Sequence, residues 1–248
     1  MPIDKIEVLP DRIEKLPHWR VLFRPSVYKI RIDGGPKAAF NLIEKCHVRL
    51  GGWSYPFLSN DRLERIRESK YIASGSDFMG HIEYWRMYYS GQYADLFSVR
   101  EKTSGNWDKK LREEASEMML MPADISVEDI PGFMSVLNLL CSVTEIFEFA
   151  TRLCSTRLYD VDFEISVEIH NIKGFALIAE YPRAWDEYYP ATSDCVSKKS
   201  IFQSEQLLAG SAGIALEWAV DFFSQFGWDD PSLEILKGDQ QKFLSGRL

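Results

Sequence analysis

Cysteine and histidine are scarce in this sequence, and neither follows the spacing of a metal site or of a disulfide scaffold. The four cysteines, which lack paired spacing, are Cys46, Cys141, Cys154 and Cys195. The four histidines, which lack the i, i+4 pairing of zinc sites, are His18, His47, His81 and His170. A metal would need ligands that only tertiary structure brings together, so we predict no metal, no cofactor and no structural disulfide.

Long hydrophobic runs are also missing. The longest apolar runs, such as Phe175–Ala179, fall far short of the roughly 20 residues that span a bilayer. Residues 1–11 alternate charged and apolar side chains and lack the basic start and apolar stretch of a secretory signal. We therefore expect a cytoplasmic protein without a membrane partner. The composition, with 46% hydrophobic and 27% charged residues, is typical of a globular protein.

Positive charge is in deficit overall, but not at the start of the chain. The 29 Lys and Arg residues face 37 Asp and Glu residues, which gives a net charge of −8. Residues 1–70 reverse this balance, with fourteen Lys and Arg against nine Asp and Glu. An acidic chain is a poor candidate for wrapping nucleic acid, because such binding neutralises many phosphates. A local basic surface can still attract an acidic protein or a short nucleic acid.

Two extended segments are predicted within this basic region. Trp19–Phe23 alternates apolar and polar residues, and Val27–Ile32 continues the alternation before a turn at Asp33. Four basic residues lie on the side opposite the core, and we predict them as a partner-binding surface: Arg20, Arg24, Lys29 and Arg31. The alternative is a solvated strand face whose charges only balance nearby acids.

The middle of the chain predicts a helix and a hairpin. A short helix follows Lys37, and the charged stretch Asn60–Lys70 is expected to face solvent. His81–Tyr89 and Tyr93–Arg100 flank a glycine-containing turn, which favours a hairpin, although their aromatic spacing leaves a helix open. A further helix is predicted at Asn106–Leu120.

The strongest helix signal begins at Ser126. Ser126 and Asp129 have capping-box spacing, and Pro131 suits the first turn of a helix. Apolar residues then recur at helical spacing as far as Cys154. We therefore predict a long buried helix at Ser126–Cys154 as the central packing element.

The second half of the chain predicts a strand pair and two more helices. Asp160–His170 alternates apolar with mostly acidic residues, which is typical of a strand with one face in water. Asn171–Gly174 is interpreted as a hairpin turn and Phe175–Tyr181 as a return strand paired directly with the first. Pro182–Gln203 looks irregular. The last predicted helices are Leu207–Phe226, which ends at Gly227, and one that begins at Pro231 after Asp230.

Together these elements predict an α+β fold in a single domain over residues 1–248. Strands and long helices mix without strict βαβ alternation. We expect an antiparallel sheet of about five or six strands, packed by three or four helices that include one long central helix. The basic strand region, about residues 1–70, belongs to the same domain.

The acidic side of the predicted Asp160–His170 strand is the clearest candidate for catalysis. Clustered carboxylates can hold divalent metals for phosphodiester hydrolysis, as in a metal-dependent nuclease or phosphodiesterase. The cluster consists of Asp160, Asp162, Glu164, Glu168 and His170. A solvated sheet face has the same pattern, and we favour that interpretation.

One short motif invites a second enzymatic interpretation. His81-Ile82-Glu83 matches the His-x-Glu of zinc deaminases, but the Pro-Cys-x-x-Cys element that completes their site is absent. We therefore predict no catalytic residues in this chain.

Aromatic residues in two loops are candidates for recognition. Trp53 lies in a glycine-rich loop, and Trp185 lies in the irregular stretch. Exposed loop aromatics often anchor interfaces, so we predict both as partner-binding residues. The alternative for such residues is core packing.

Five stretches of the sequence resemble a region known from bacteria. They are Val48–Pro56, Ser76–Arg86, Ser90–Tyr93, Phe226–Pro231 and Asp239–Gln241. They are similar to an uncharacterised region found beside Schlafen-AlbA-type domains, of nucleic-acid- or ATP-binding type, and as stand-alone proteins. The resemblance covers the chain from Trp19 to its C-terminus. It implies a non-catalytic accessory, sensing or scaffold protein of a bacterial regulatory or anti-phage defence system, with a protein partner or effector subunit and weaker support for nucleic acid.

Overall fold

A seven-stranded antiparallel sheet organises the described part of the chain. The computed structural model describes residues 6–51, 53–58, 65–118, 125–179 and 187–247. The strands are β1 (His18–Pro25), β2 (Arg65–Arg67), β3 (Tyr71–Phe78), β4 (His81–Tyr88), β5 (Tyr93–Ser98), β6 (Phe133–Ser135), β7 (Phe163–His170), β8 (Ala176–Ile178) and β9 (Cys195–Phe202). The large sheet has the order β2-β3-β4-β5-β1-β7-β9, and β6 and β8 form a short parallel pair. The predicted α+β class is confirmed, with a sheet wider than expected.

Helices cover both faces of this sheet to different extents. They are α1 (Leu9–Ile13), α2 (Gly35–Cys46), α3 (Arg100–Thr103), α4 (Gly105–Met118), α5 (Val136–Ser155), α6 (Ser204–Gln225) and α7 (Leu233–Leu244). The main core lies between the sheet and α5 and α6, where Trp19 of β1 meets Phe222 and Phe147 of α5 meets Trp218. On the opposite face, α1 covers a smaller cluster around Ile82.

The long central helix exists, but it begins later than predicted. Ser126 does form a capping box, in which its backbone N–H donates to Asp129 Oδ2 at 3.3 Å. This box caps only one 3-10 turn, Val127–Asp129. The chain then extends through Gly132, where a Cβ atom would lie 2.4 Å from the ring of Phe175. A side chain at that position would collide with the ring, so glycine is required there. Helix α5 starts after Ser135, whose side chain accepts the Asn138 N–H.

The prediction of a second basic strand at Val27–Ile32 is wrong. β1 pairs with β7 as far as Pro25, and the chain then leaves the sheet as a loop. The backbone N–H groups of Arg31 and Ile32 both donate to the carbonyl of Tyr89, so this loop is tied to the β4–β5 turn instead of a strand partner. Tyr28, on the predicted apolar side, is 81% exposed. Alternation alone could not show this difference.

Two expectations for the C-terminal half are also wrong. The predicted return strand Phe175–Tyr181 does not pair with β7; its described part forms β8, which pairs in parallel with β6. Both edges of β7 are already occupied by β1 and β9, so the chain must turn away after Asn171. Residues 180–186 lie outside the described part. The stretch predicted as irregular, Pro182–Gln203, contains the whole of β9.

Strand β9 lies at one edge of the sheet and is partly protected there. The side-chain amide of Gln225 on α6 accepts the Ser197 N–H at 2.9 Å and donates to the Ser197 carbonyl at 3.3 Å. This single amide therefore satisfies both outward-facing backbone groups of one edge residue.

A strand was missed in the region expected to be charged and solvent-facing, Asn60–Lys70. Arg65–Arg67 forms β2 there, residues 59–64 lie outside the described part, and β3 follows directly. β3 shows no alternation because both of its faces are buried. Gly75 is required in it, since a Cβ atom would lie 2.7 Å from Leu9 Cδ1 and 2.8 Å from the Glu83 carbonyl oxygen.

The remaining predicted elements are confirmed with small shifts. β4 and β5 form the expected hairpin, and α2 and α4 lie where helices were predicted. α6 ends before Gly227, whose φ of 91° is the left-handed conformation of a helix C-cap. α7 begins at Leu233 after Ser232, two residues beyond the predicted Pro231.

One described helix, α6, is long and apolar enough to cross a membrane when judged by length and composition alone. Its most apolar 18-residue window has a mean hydropathy of 1.3, and 33% of that window is buried inside the protein. Core helices of soluble proteins pass the same test, so the expected cytoplasmic location stays a prediction.

The packing of α5 generates the first testable prediction. Leu140 is fully buried in the middle of this helix, so Leu140→Ala should lower the free energy of unfolding by about 2 to 5 kcal/mol. The exposed Ser155→Ala on the last turn is the control and should change it by less than about 0.5 kcal/mol. Urea denaturation measures both, and a loss below about 1 kcal/mol for Leu140→Ala would show that α5 is peripheral.

Candidate functional site

The most distinctive chemical feature is a cavity of about 430 Å³ between one end of the sheet and helices α3, α4 and α5. Six aromatic side chains line it: Trp19, Trp53, Tyr55, Phe97, Trp107 and Phe243. The other polar or ionisable lining residues are Ser54, His81, Glu83, Ser98, Arg100, Glu101, Asn138, Cys141, Ser142 and Glu145. Aromatic walls with a few convergent polar groups are typical of small-molecule sites.

A polar stripe on α5 supplies one wall of the cavity. Asn138, Cys141, Ser142 and Glu145 follow the spacing i, i+3, i+4 and i+7, which places them on one face of the helix. The other faces are filled by buried apolar side chains, Leu140 among them. The stripe is therefore an interruption of an otherwise buried helix, and it was the sequence signal that could have located the cavity.

A histidine–glutamate pair projects from the start of β4. His81 Nε2 lies 2.6 Å from Glu83 Oε2, and the other oxygen of Glu83 accepts the Phe57 N–H at 2.7 Å. The indole of Trp85 donates to the Phe57 carbonyl at 2.8 Å. Both bonds attach the loop that carries Trp53 to β4. The Glu83 carboxylate is held by its hydrogen bonds and is only 1% exposed.

A second buried carboxyl group lies beside Glu83. The Tyr93 hydroxyl donates to Asp95 Oδ2 at 3.1 Å, and both side chains are buried. Burial, reinforced by the negative charge of Glu83, raises the pKa of Asp95 well above its ordinary range. Burial beside Glu83 therefore disfavours the ionised form of Asp95.

Arg100 is the cation of the cavity. Its guanidinium lies over the rings of Trp53 and Trp107, at 5.4 and 5.3 Å from their centroids. Such stacking holds the planar group in one orientation. Its Nε is buried and has no hydrogen-bond partner among the described residues. A guanidinium N–H without an acceptor is costly, so an anion that meets the part of the guanidinium lining the cavity would be favourable.

Glu145 faces the cavity from α5 and holds the loop after α2. Its Oε1 accepts the Gly51 N–H at 3.3 Å. Burial raises the pKa of Glu145 to about 7; the N–H groups of Gly51 and Leu50 oppose this change, and the charge of Glu83 adds to it. Glu145 is thus an acid that gains and loses its proton near neutral pH, in a cavity that also contains His81.

Two of the four predicted partner-binding cations lie on the open face of the sheet, away from this cavity. Arg20 and Arg24 are exposed on β1 and line a shallower depression of about 400 Å³ with Arg86. Glutamates of β7 face them across the strand pair: Arg20 lies 3.8 Å from Glu168, and Arg24 is in register with Glu164. The surface is mixed in charge, which is the pattern of a solvated strand face.

Lys29 and Arg31 do not line an extended strand as predicted. Both lie in the loop after β1 and form ion pairs with Asp160, Arg31 Nε at 3.5 Å from its Oδ1. The Arg31 side chain is only 3% exposed, and it donates to the Ser90 carbonyl at 3.1 Å. Arg31 therefore has a structural role.

The two predicted aromatic residues have different outcomes. Trp53 lies in the wall of the cavity, where its ring contacts His81, Phe57 and Phe78. Trp185 lies outside the described residues. Of the members of the predicted partner-binding set that the structure describes, only Trp53 lines the cavity.

The acidic strand proposed for a nuclease lacks a metal-binding geometry in the described residues. Glu164 and Glu168 alternate with the arginines of β1, and Asp160 pairs with Lys29 and Arg31. Within residues 6–51, 53–58, 65–118, 125–179 and 187–247, no three His, Cys, Asp or Glu side chains are grouped to hold a metal ion. No observation on this face favours hydrolysis.

The structure also brings a cysteine close to a histidine. Cys195 Sγ lies 3.9 Å from His170 Nε2, but the same nitrogen is 2.8 Å from Glu168 Oε2. A catalytic histidine needs one nitrogen for the nucleophile and the other for its orienting acid. Burial, together with the charges of Glu168 and Asp194, raises the pKa of the Cys195 thiol, which disfavours the reactive thiolate.

Comparisons of the chain with protein-family models, with curated proteins and with solved structures find no match. The resemblance to the region beside Schlafen-AlbA-type domains stays a prediction. Function is therefore argued from the cavity itself.

The loop after β1 generates the second prediction. Arg31→Met removes the hydrogen bonds to Ser90 and Lys29 and should lower the free energy of unfolding by about 1 to 3 kcal/mol. Arg24→Met, on the exposed strand face, is the matched control and should change it by less than about 0.5 kcal/mol. Equal effects of the two changes in urea denaturation would contradict the structural role of Arg31.

Glu145 generates the third prediction. Folding favours its protonated form, so this contribution to stability is complete below the ordinary pKa of 4.5 and is lost as the pH rises through about 7. The other ionisable groups that line the cavity are Tyr55, His81, Glu83, Arg100, Glu101 and Cys141. Relative to Glu145→Gln, the wild-type protein should lose about 1 to 3 kcal/mol over this interval in urea denaturation at several pH values. If the difference in the free energy of unfolding between the wild-type protein and Glu145→Gln does not change with pH, the raised pKa of Glu145 is contradicted.

Proposed function

We propose that this protein is a sensing protein that binds a small organic molecule with an anionic group in the cavity of about 430 Å³. The volume lies within the range of roughly 300 to 1,000 Å³ of ligand pockets. Aromatic side chains would cover the apolar part of the ligand, and Arg100 would bind the anion.

The observation that carries this proposal is Arg100. Its orientation is fixed before any ligand arrives, because the rings of Trp53 and Trp107 flank it. Its Nε is buried and has no acceptor among the described residues. A preorganised arginine binds a carboxylate through charge-assisted, often bidentate, hydrogen bonds and pays little side-chain entropy for doing so.

We propose a sensing role rather than catalysis because the cavity offers no activated nucleophile. His81, the histidine that lines the cavity, has its Nε2 engaged by Glu83 and so is not directed at a nucleophile through that nitrogen. A place in a bacterial regulatory or anti-phage system, with a protein partner that responds to the bound state, is supported by the sequence resemblance alone.

The test uses 3-phenylpropionate, which carries one aromatic ring and one carboxylate, as a probe. Titration calorimetry or ligand-observed NMR should show saturable binding to the wild-type protein at millimolar concentration or below. Arg100→Gln should weaken the binding about tenfold or more, because the charge-assisted bonds are lost.

The matched control is Arg86→Gln. Arg86 also stacks on two aromatic rings, those of Tyr71 and Tyr84, but it lies on the opposite face of the sheet. The Arg86→Gln variant should bind 3-phenylpropionate with unchanged affinity. The proposal fails if the wild-type protein does not bind the probe, or if the two substitutions have the same effect while both variants stay folded.

A further inference from the structure

The cavity is lined by a guanidinium on α3 and a carboxyl group on α5. Arg100 stacks on Trp53, and Glu145 accepts the N–H of Gly51, two residues earlier. Both groups therefore contact the same loop, although different helices carry them. A ligand that satisfied Arg100 alone would leave this carboxyl group without a cation.

Glu145 is the carboxylate best placed to receive a ligand cation. Glu83 is already engaged by His81 and by the Phe57 N–H, both at less than 3 Å. Glu101 is 4% exposed and accepts the Ser135 N–H at 3.2 Å. Among the described residues, Glu145 is held only by the backbone N–H groups of Gly51, at 3.3 Å, and Leu50, and it remains partly exposed on the polar stripe of α5.

The rest of the stripe suits a small ammonium group. Asn138 and Ser142 lie on the same face of α5 as Glu145, two turns and one turn earlier respectively, and each carries an oxygen that can accept an N–H. An ammonium has three donors and no acceptor, so it needs a charged partner and neutral acceptors around it.

We infer that the ligand is a zwitterionic α-amino acid with an aromatic or large apolar side chain, its carboxylate on Arg100, its ammonium on Glu145 and its side chain among the aromatic walls. This inference rests on the proposed function and adds the cationic half of the ligand. A carboxylate and an ammonium on the same carbon match a cavity whose guanidinium and carboxyl group both contact the loop at Gly51 and Trp53.

Three probes that share a phenyl ring test the inference. L-phenylalanine has both charged groups, 3-phenylpropionate lacks the ammonium, and 2-phenylethylamine lacks the carboxylate. At pH 8, where Glu145 is ionised, L-phenylalanine should bind about tenfold tighter than either of the others.

The decisive variant is Glu145→Gln. It should reduce the affinity for L-phenylalanine to that for 3-phenylpropionate, and it should not weaken the binding of 3-phenylpropionate. Glu148→Gln is the matched control, because Glu148 lies on the same helix, pairs with Arg152 and does not line the cavity. It should change none of the three affinities.

The outcomes separate this inference from the proposed function. Equal wild-type affinities for L-phenylalanine and 3-phenylpropionate, with both lost in Arg100→Gln, would overturn the amino-acid ligand and leave the anion site intact. Preservation of the L-phenylalanine advantage in a folded Glu145→Gln variant would overturn the role of Glu145. Failure of all three probes to bind the wild-type protein would overturn both proposals.

Discussion

The burial of helix α5 against the sheet is the constraint on which the rest of the structure depends. Its apolar faces contribute a row of fully buried side chains to the main core, and α6 packs along it. Because the helix cannot move without opening that core, the polar side chains on its remaining face have fixed positions. The same packing that stabilises the fold thus presents Asn138, Ser142 and Glu145 to the cavity at no further conformational cost.

Local patterns predicted the elements whose environment is one-sided. β1 and β7 alternate because one face enters the core and the other meets charged neighbours, and the class of fold followed from them. β3 was missed because both of its faces are buried, so it has no alternation to detect. The partner of β8 could not be predicted, since nothing within Phe175–Tyr181 shows that β9 already occupies the free edge of β7.

The cavity was only partly visible in the sequence. Trp53 was identified because a loop tryptophan has few structural reasons to be there, and it does line the cavity. His81 and Glu83 were considered only as part of a zinc motif, whereas the structure pairs them without a metal ligand set. Arg100 could not be found from the sequence, because its importance comes from Trp53 and Trp107, which lie 47 residues before it and seven after it.

The contact between Gln225 and Ser197 has a consequence for how copies of this chain behave at high concentration. Strand β9 is an unpaired edge, and an unpaired edge invites a second molecule to add a strand of its own. The carboxamide of Gln225 occupies the position that a peptide group of the incoming strand would take. Lys198 and Lys199 follow immediately; Lys198 forms an ion pair with Asp221 of α6, and Lys199 is exposed. Because Gln225 already bonds both backbone groups of Ser197, a strand added at this position would have to displace the amide.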